Sequence, residues 1–494
     1  MALTTSGDGA NAANYGILRT ELPTYCHETI GVSKPRSGWG FTIGSGVLGM
    51  LLGNEEEAVM SLRLTELPWS KHIDPKDMES KLAQLLELGS AIDDGHTEAA
   101  VVEAVSEWLK RDGIPYIVDP VMTGRPNLLA TLQGNTPGPT LLLEAHSDTV
   151  AAGDQNTWTY PPFRLTKDGD RLYGRGSADT KGNLVAAYLG LRAFWRESRG
   201  SFPGKVLFLV PIDEEDLMTG IRHFIASQNV SEIDGAICCE PEDNYVCIAQ
   251  KGALRLRAEI MGKMAHGAMP LTGSNPLPVL ARFVGALEEE ERAEQTRAGC
   301  HQNLGWPSIT PTQVLAPISG SSGFNVVPAS AALSIDCRTV PGQSHPDIIH
   351  RMEQRLQSII ADVNHDLMAG YGRTLQASLE PEIDPAPFQG RIVVVDERPI
   401  TETPQDHPLV RAVAHAVSVI LQQPPHYAGV PGATDGTWLW DQGVPIVTTG
   451  AGNRFVPHQV DEWVSLSQLT ETALIYAEAA HRFLSDPQSV NKGV

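Results

Sequence analysis

The chain has 494 residues, 41% hydrophobic and 19% charged, which calls for at least two folded domains and excludes wholesale disorder. Its 37 Lys+Arg against 59 Asp+Glu give a formal charge of −22, and no basic stripe reverses it locally, so nucleic acid is excluded as a partner. Six cysteines without a CxxC spacing fit a reduced, cytoplasmic compartment, and the first residues lack the basic and apolar regions of an export signal.

Residues 1–70 show no sustained period and are expected to form an N-terminal extension of unknown role. Within them, GWGFTIGSGVLGMLLG (38–53) is shorter than the ~20 residues that span a bilayer, so it is read as buried or loop-packed and no membrane partner is expected. Apolar residues then recur at helical spacing in DPKDMESKLAQLLELGSAI (74–92) and AAVVEAVSEWLKRDGI (99–114), with Gly113 as a stop signal. TLLLEAHSDTV (140–150) and KVLFLVPIDEE (205–215) are apolar runs with polar ends, and the helical NLVAAYLGLRAFWRE (183–197) lies between them. That is a βαβ pattern, in which ligands collect beyond the carboxyl ends of the strands. DGAICCEPED (234–243) supplies a further strand end.

After Lys251-Gly252 the pattern becomes LRLRAEIMGKMAHG, a helix over 275–293, a strand over 331–340 and a helix over 345–364. These elements predict a separate α+β domain inserted over 253–375. The chain is then expected to return, over 376–494, to the first domain begun at 71–252, with VPIVTTGAG (444–452) as a strand and LSQLTETALIYAEAAHRFL as the closing helix.

The strand ends carry metal-ligand chemistry. His146 and Asp148 lie two apart, so on an extended segment they share a face, and the carboxylate can orient the imidazole. Asp179, in the loop GRGSADTKG (174–182), stands where one carboxylate could bridge two cations or, alternatively, cap the following helix. Glu214 and Glu215 are neighbours on an extended chain and point to opposite sides, so one can bind metal while the other stays free. Glu240 emerges from a very apolar strand, and His458 follows the strand that ends in TTGAGN. Two histidines and three acids at strand ends or adjacent loops match a two-metal site with one bridging carboxylate.

HSDTV, GRGSADTKG, DEEDLMTG, CEPED, GKMAHGAMPLTGSNP, FNVVPASAALSIDCRTVPG, GATDGTWL and PHQVDEW, in this order over roughly residues 75–490, resemble the dinuclear zinc aminoacylases and carboxypeptidases. That family includes acetylornithine deacetylase, succinyl-diaminopimelate desuccinylase and bacterial glutamate carboxypeptidase. The resemblance implies an α/β catalytic domain with a mixed central sheet flanked by helices, plus an inserted ferredoxin-like dimerisation or lid domain. It implies that Asp179 bridges two divalent ions, zinc with cobalt or manganese as substitutes, one completed by His146 and Glu240 and the other by Glu215 and His458.

By the same resemblance Asp148 orients His146, Glu214 is the general base, and His266 reaches across a homodimer to stabilise the oxyanion. Arg338, Asn325 and Gly432 hold the carboxylate of a small-molecule substrate, and the reaction is hydrolysis of an amide such as an N-acyl amino acid. A dipeptidase or carboxypeptidase, a hydrolase of an unusual small amine or amide, and a non-catalytic binding protein are the alternatives. The DLMTG spacer, the extension 1–70 and the long region 294–322 depart from the family pattern, the last as a candidate to shape the pocket. No GxSxG elbow or phosphate-binding GxxxxGK[ST] is present.

Overall fold

The computed structural model describes residues 67–321, 323–375 and 386–489. The apolar stretch 38–53 and the rest of the extension up to 66 lie outside them. The last residues assigned to that extension belong to the main body: Leu67 and Trp69 are buried in its core, and Trp69 Nε1 donates to Glu478 at 2.8 Å.

The two early helices form as the periodicity requires. Pro75–Glu87 begins with Pro at its first position, and Asp74 accepts from the Lys76 N–H at 2.9 Å. Ala99–Asp112 ends at Gly113, whose φ of 68° closes the helix without the penalty a side chain would meet.

The larger sheet has nine strands. Across it run Tyr116–Met122, Arg125–Gln133, Pro203–Val210, Thr136–Glu144, Gly235–Cys238, Ile446–Thr448, Val246–Gln250 and Thr401–Glu402, with Tyr427–Val430 also paired to Val246–Gln250. The four strands from Pro203–Val210 to Ile446–Thr448 are mutually parallel, and the pairings toward Tyr116–Met122 and Thr401–Glu402 are antiparallel. Both faces are covered at the buried end of Thr136–Glu144, which explains its uninterrupted Leu141, Leu142 and Leu143. Leu141 and Leu143 join a core with the helices Lys181–Ser198, Pro408–Leu421 and Leu466–Ser485, whereas Leu142 faces Ile221, Phe224 and Leu439.

Lys181–Ser198 and Leu466–Ser485 approach so closely that a Cβ at Gly190 would lie 2.5 Å from the Ala473 carbonyl oxygen. Because backbone cannot give way there, Gly190→Val is expected to cost about 3 kcal/mol, read as a lowered denaturation midpoint by chemical unfolding.

The smaller sheet is antiparallel, in the order Ser308–Leu315, Ser330–Thr339, Gly252–Met261 and Gln389–Arg398. With the helices Leu277–Ala298 and His345–Leu375 it forms the βαββαβ, ferredoxin-like topology. Leu254, Leu256, Ala258 and Ile260 turn toward these helices, and Arg255 and Arg257 alternate onto the open face. The return to the larger body comes later than expected at 376. Gln389–Arg398 pairs along Gly252–Met261 and packs Ile392 into the small core, and its IVVV run was the strand signal available in the sequence.

Candidate metal centre

The parallel strands deliver their ends to one place. Thr136–Glu144 leads to His146 and Asp148, Pro203–Val210 to Glu214 and Glu215, Gly235–Cys238 to Glu240, and Ile446–Thr448 to the loop that carries His458. His146, Asp179 and Glu240 bring one ligand atom each within 4.8 Å of one another, and so do Asp179, Glu215 and His458.

Asp179 belongs to both groups through different oxygens. Its Oδ1 lies 3.1 Å from His146 Nε2, and its Oδ2 lies 3.3 Å from His458 Nε2. His146 Nε2 is 3.9 Å from Glu240 Oε1, and His458 Nε2 is 3.0 Å from Glu215 Oε2. The helix-cap reading of Asp179 is overturned: Thr180 is the N-cap of Lys181–Ser198, and its side chain makes no capping bond.

Asp148 has a wider role than orienting an imidazole. His146 Nδ1 lies 3.0 Å from its main-chain oxygen and 3.4 Å from its carboxylate. That carboxylate also accepts the main-chain N–H groups of Glu214 at 3.2 Å and Glu215 at 3.1 Å. One residue therefore fixes two ligand-bearing loops against each other.

The centre is buried and overly acidic. Burial, assisted by neighbouring carboxylates, pushes Glu214 and Glu240 well above the usual range, and Glu215 upward as well. Burial would raise Asp179 too, but hydrogen bonds from His146 and His458 outweigh it and hold Asp179 low. His458, bonded to Asp179 and Glu215, is raised to about 10. Glu240 Oε1 is buried without a hydrogen-bond partner among the described residues. An orphaned carboxylate oxygen within a cluster of imidazoles and acids is what divalent cations would satisfy, and mixed His and carboxylate donors suit zinc.

A cavity of about 310 Å³ opens over these groups, with Asp179, Glu214, Glu215, Glu240, His458, Arg338 and Gly432 in its wall. His266 and Asn325 are not brought there. They sit together on the smaller domain, where Gly267 N–H donates to the Asn325 carbonyl and the exposed His266 pairs with Val326. No described residue of 294–322 lines the wall either.

Sequence reasoning missed several residues. Arg255 and Arg398 join Arg338 at the cavity, set on three adjacent strands of the small sheet and spaced by Asp336 and Asp396. Glu462 is fully buried and accepts from Arg175 and from the main-chain N–H groups of Gly176, Ala178 and Asp179 at 2.6–3.1 Å, which holds the loop that presents Asp179. Glu144 and Asp435 are buried with all four carboxylate oxygens unpartnered among the described residues. Burial and mutual repulsion push Asp435 well up, and burial raises Glu144 to about 7. An acid closing an apolar strand was the available signal for Glu144; the pairing required the fold.

The sequence profile of Peptidase family M20/M25/M40 matches residues 142–482. The chain is 26% identical over 431 residues to a protein of Staphylococcus aureus described as a probable succinyl-diaminopimelate desuccinylase, covering 83% of this chain and 98% of the relative. It is 28% identical over 389 residues to acetylornithine deacetylase of Photorhabdus laumondii, covering 78% and 90%. Among solved structures it is similar to the dipeptidase Dug1p of Saccharomyces cerevisiae, with a TM-score of 0.63 at 15% identity, over 85% of this chain and 98% of that one.

Proposed function

The chain belongs to Peptidase family M20/M25/M40, and from that membership we propose that it cleaves the amide bond of a small carboxylate-bearing substrate such as an N-acyl amino acid. It is a metal-dependent amide hydrolase. The observation that carries the finer reading is Asp179, whose two oxygens face two separate clusters of imidazole and carboxylate, with Glu214 in the wall beside them.

His146, Asp179 and Glu240 would hold one divalent ion and Asp179, Glu215 and His458 the other, zinc in first place and cobalt or manganese as substitutes. Bound there, the ions would polarise the amide carbonyl and acidify the attacking water. Glu214 takes the proton from that water and passes it to the leaving nitrogen. Arg338 presents a guanidinium to the substrate carboxylate, and the turn at Gly432 faces the same space.

The division into a catalytic body and an inserted domain gives His266 and Asn325 a role. Lying outside the cavity of their own chain, they would serve the site of a second copy in a cytoplasmic homodimer. Subunit complementation tests this. His266→Ala and Glu214→Gln proteins, each inactive alone, are expected to regain about a quarter of wild-type activity when mixed, because one site per heterodimer is then intact. Continued inactivity of the mixture would show that His266 acts within its own chain or not at all.

The substrate class is tested by incubating purified, metal-loaded protein with a panel of N-acyl amino acids and dipeptides and following products by mass spectrometry. Turnover of amides lacking a carboxylate as readily as those bearing one would remove Arg338 from its assigned role.

A further inference from the structure

Glu462 is completely buried and stands four residues after His458. The strand that follows it, Trp463–Ser465, pairs antiparallel with Arg171–Tyr173, with Trp463 opposite Tyr173. That register sets Glu462 against Gly174, whose N–H donates to the Glu462 main-chain oxygen at 2.9 Å. Beyond this point residues 174–180 form a turn, with neither strand nor helix to fix them. The Glu462 carboxylate fixes them instead. Its Oε2 accepts from Arg175 Nη1 at 2.6 Å and from the Gly176 N–H at 3.1 Å, and its Oε1 from the N–H groups of Ala178 at 2.9 Å and Asp179 at 3.0 Å. Main-chain N–H groups curled in this way suit an anion, and bonds to a charged acceptor are about twice as strong as neutral ones.

The two metal-ligand groups depend on this clamp unequally. His146 and Glu240 leave adjacent, paired strands, Thr136–Glu144 and Gly235–Cys238, and the His146 ring is fixed through Nδ1 by Asp148 at 3.0 Å. Asp179 and His458 both stand in turns. Among the described residues, only Nε2 of the exposed His458 ring has partners. Its φ of 66° is a left-handed conformation that a residue with a side chain adopts only where its surroundings enforce it. The 3.3 Å between Asp179 Oδ2 and His458 Nε2 is therefore set by the join between their two segments, and Glu462 makes that join.

We propose that Glu462 is a positioning residue that sets the affinity of the Asp179, Glu215 and His458 group for its ion, and so decides whether the chain holds two ions or one. The inference rests on the two-ion reading and goes beyond it. Glu462 donates to no ion itself; it keeps the Asp179 carboxylate and the His458 imidazole at the spacing a shared ion requires. The His146 and Glu240 side of the centre keeps its geometry through the sheet and Asp148 when the clamp is weakened.

The test dialyses full-length, zinc-loaded protein against graded chelator and reads retained zinc by elemental analysis, with the unfolding midpoint measured alongside. Wild type is expected to start from two ions per chain. Glu462→Gln keeps the size of the side chain but turns an amide toward N–H donors, and is expected to weaken one ion about 10–100-fold and the other less than about threefold. Added to His458→Ala, which lacks that ion already, the same substitution should change the remaining ion less than about threefold. Where Glu462→Gln fails to fold, Arg175→Lys, which keeps the charge and leaves Glu462 its main-chain partners, should weaken the same ion about fivefold. Equal loss of both ions, or unchanged retention of both, in the variant that folds overturns the positioning role. A wild type holding fewer than two ions before chelator is added overturns instead the two-ion reading, a result distinct from either.

Discussion

Glu214→Gln is expected to lower kcat about a thousandfold while KM and bound metal stay close to wild type. Glu214 follows the end of Pro203–Val210, its N–H is held by Asp148 at 3.2 Å, and it is buried in the wall of the cavity. It belongs to neither convergent ligand group, so the amide side chain should keep shape and metal affinity while losing the ability to take a proton. Steady-state kinetics with elemental analysis on the same preparation checks this. Retained turnover, or loss of metal in parallel with loss of turnover, would remove Glu214 from the role of base.

Asp179→Asn should act in the opposite manner. Because one carboxylate serves both groups, its loss is expected to lower metal content from about two ions per chain toward none and to abolish activity, whereas His458→Ala should remove about one ion. The Asp179 carboxylate makes no capping bond to its helix, so circular dichroism should remain that of wild type. Chelation of the wild-type protein should reproduce the inactivity, and added zinc, cobalt or manganese should reverse it for wild type alone. An Asp179→Asn protein that keeps both ions would show that the two groups are filled independently.

These two predictions use residues that were legible in the sequence, for a definite reason. The candidate ligands other than His458 follow an apolar run or precede a helix, and those periodicities are local properties that survive without knowledge of the fold. The ferredoxin-like insertion was readable on the same basis through two of its four strands and both helices. The strands Ser308–Leu315 and Gln389–Arg398 were not assigned, and their registers depend on pairing with Ser330–Thr339 and Gly252–Met261.

What the sequence by itself offered is a candidate ligand set, His146, Asp179, Glu215, Glu240 and His458, which the structure gathers into two groups; its proposed division, with Glu214 as the free acid, came through the family resemblance. Each candidate is marked by its residue type at a strand end or in an adjacent loop. What only the tertiary structure decided is everything that depends on separate segments meeting. Glu462 clamping the loop of Asp179 from 283 residues away, the burial of Glu144 and Asp435 without hydrogen-bond partners among the described residues, and the arginines gathered from three strands are products of long-range packing. Burial creates their chemistry, and burial is a property of the folded chain that no local pattern carries.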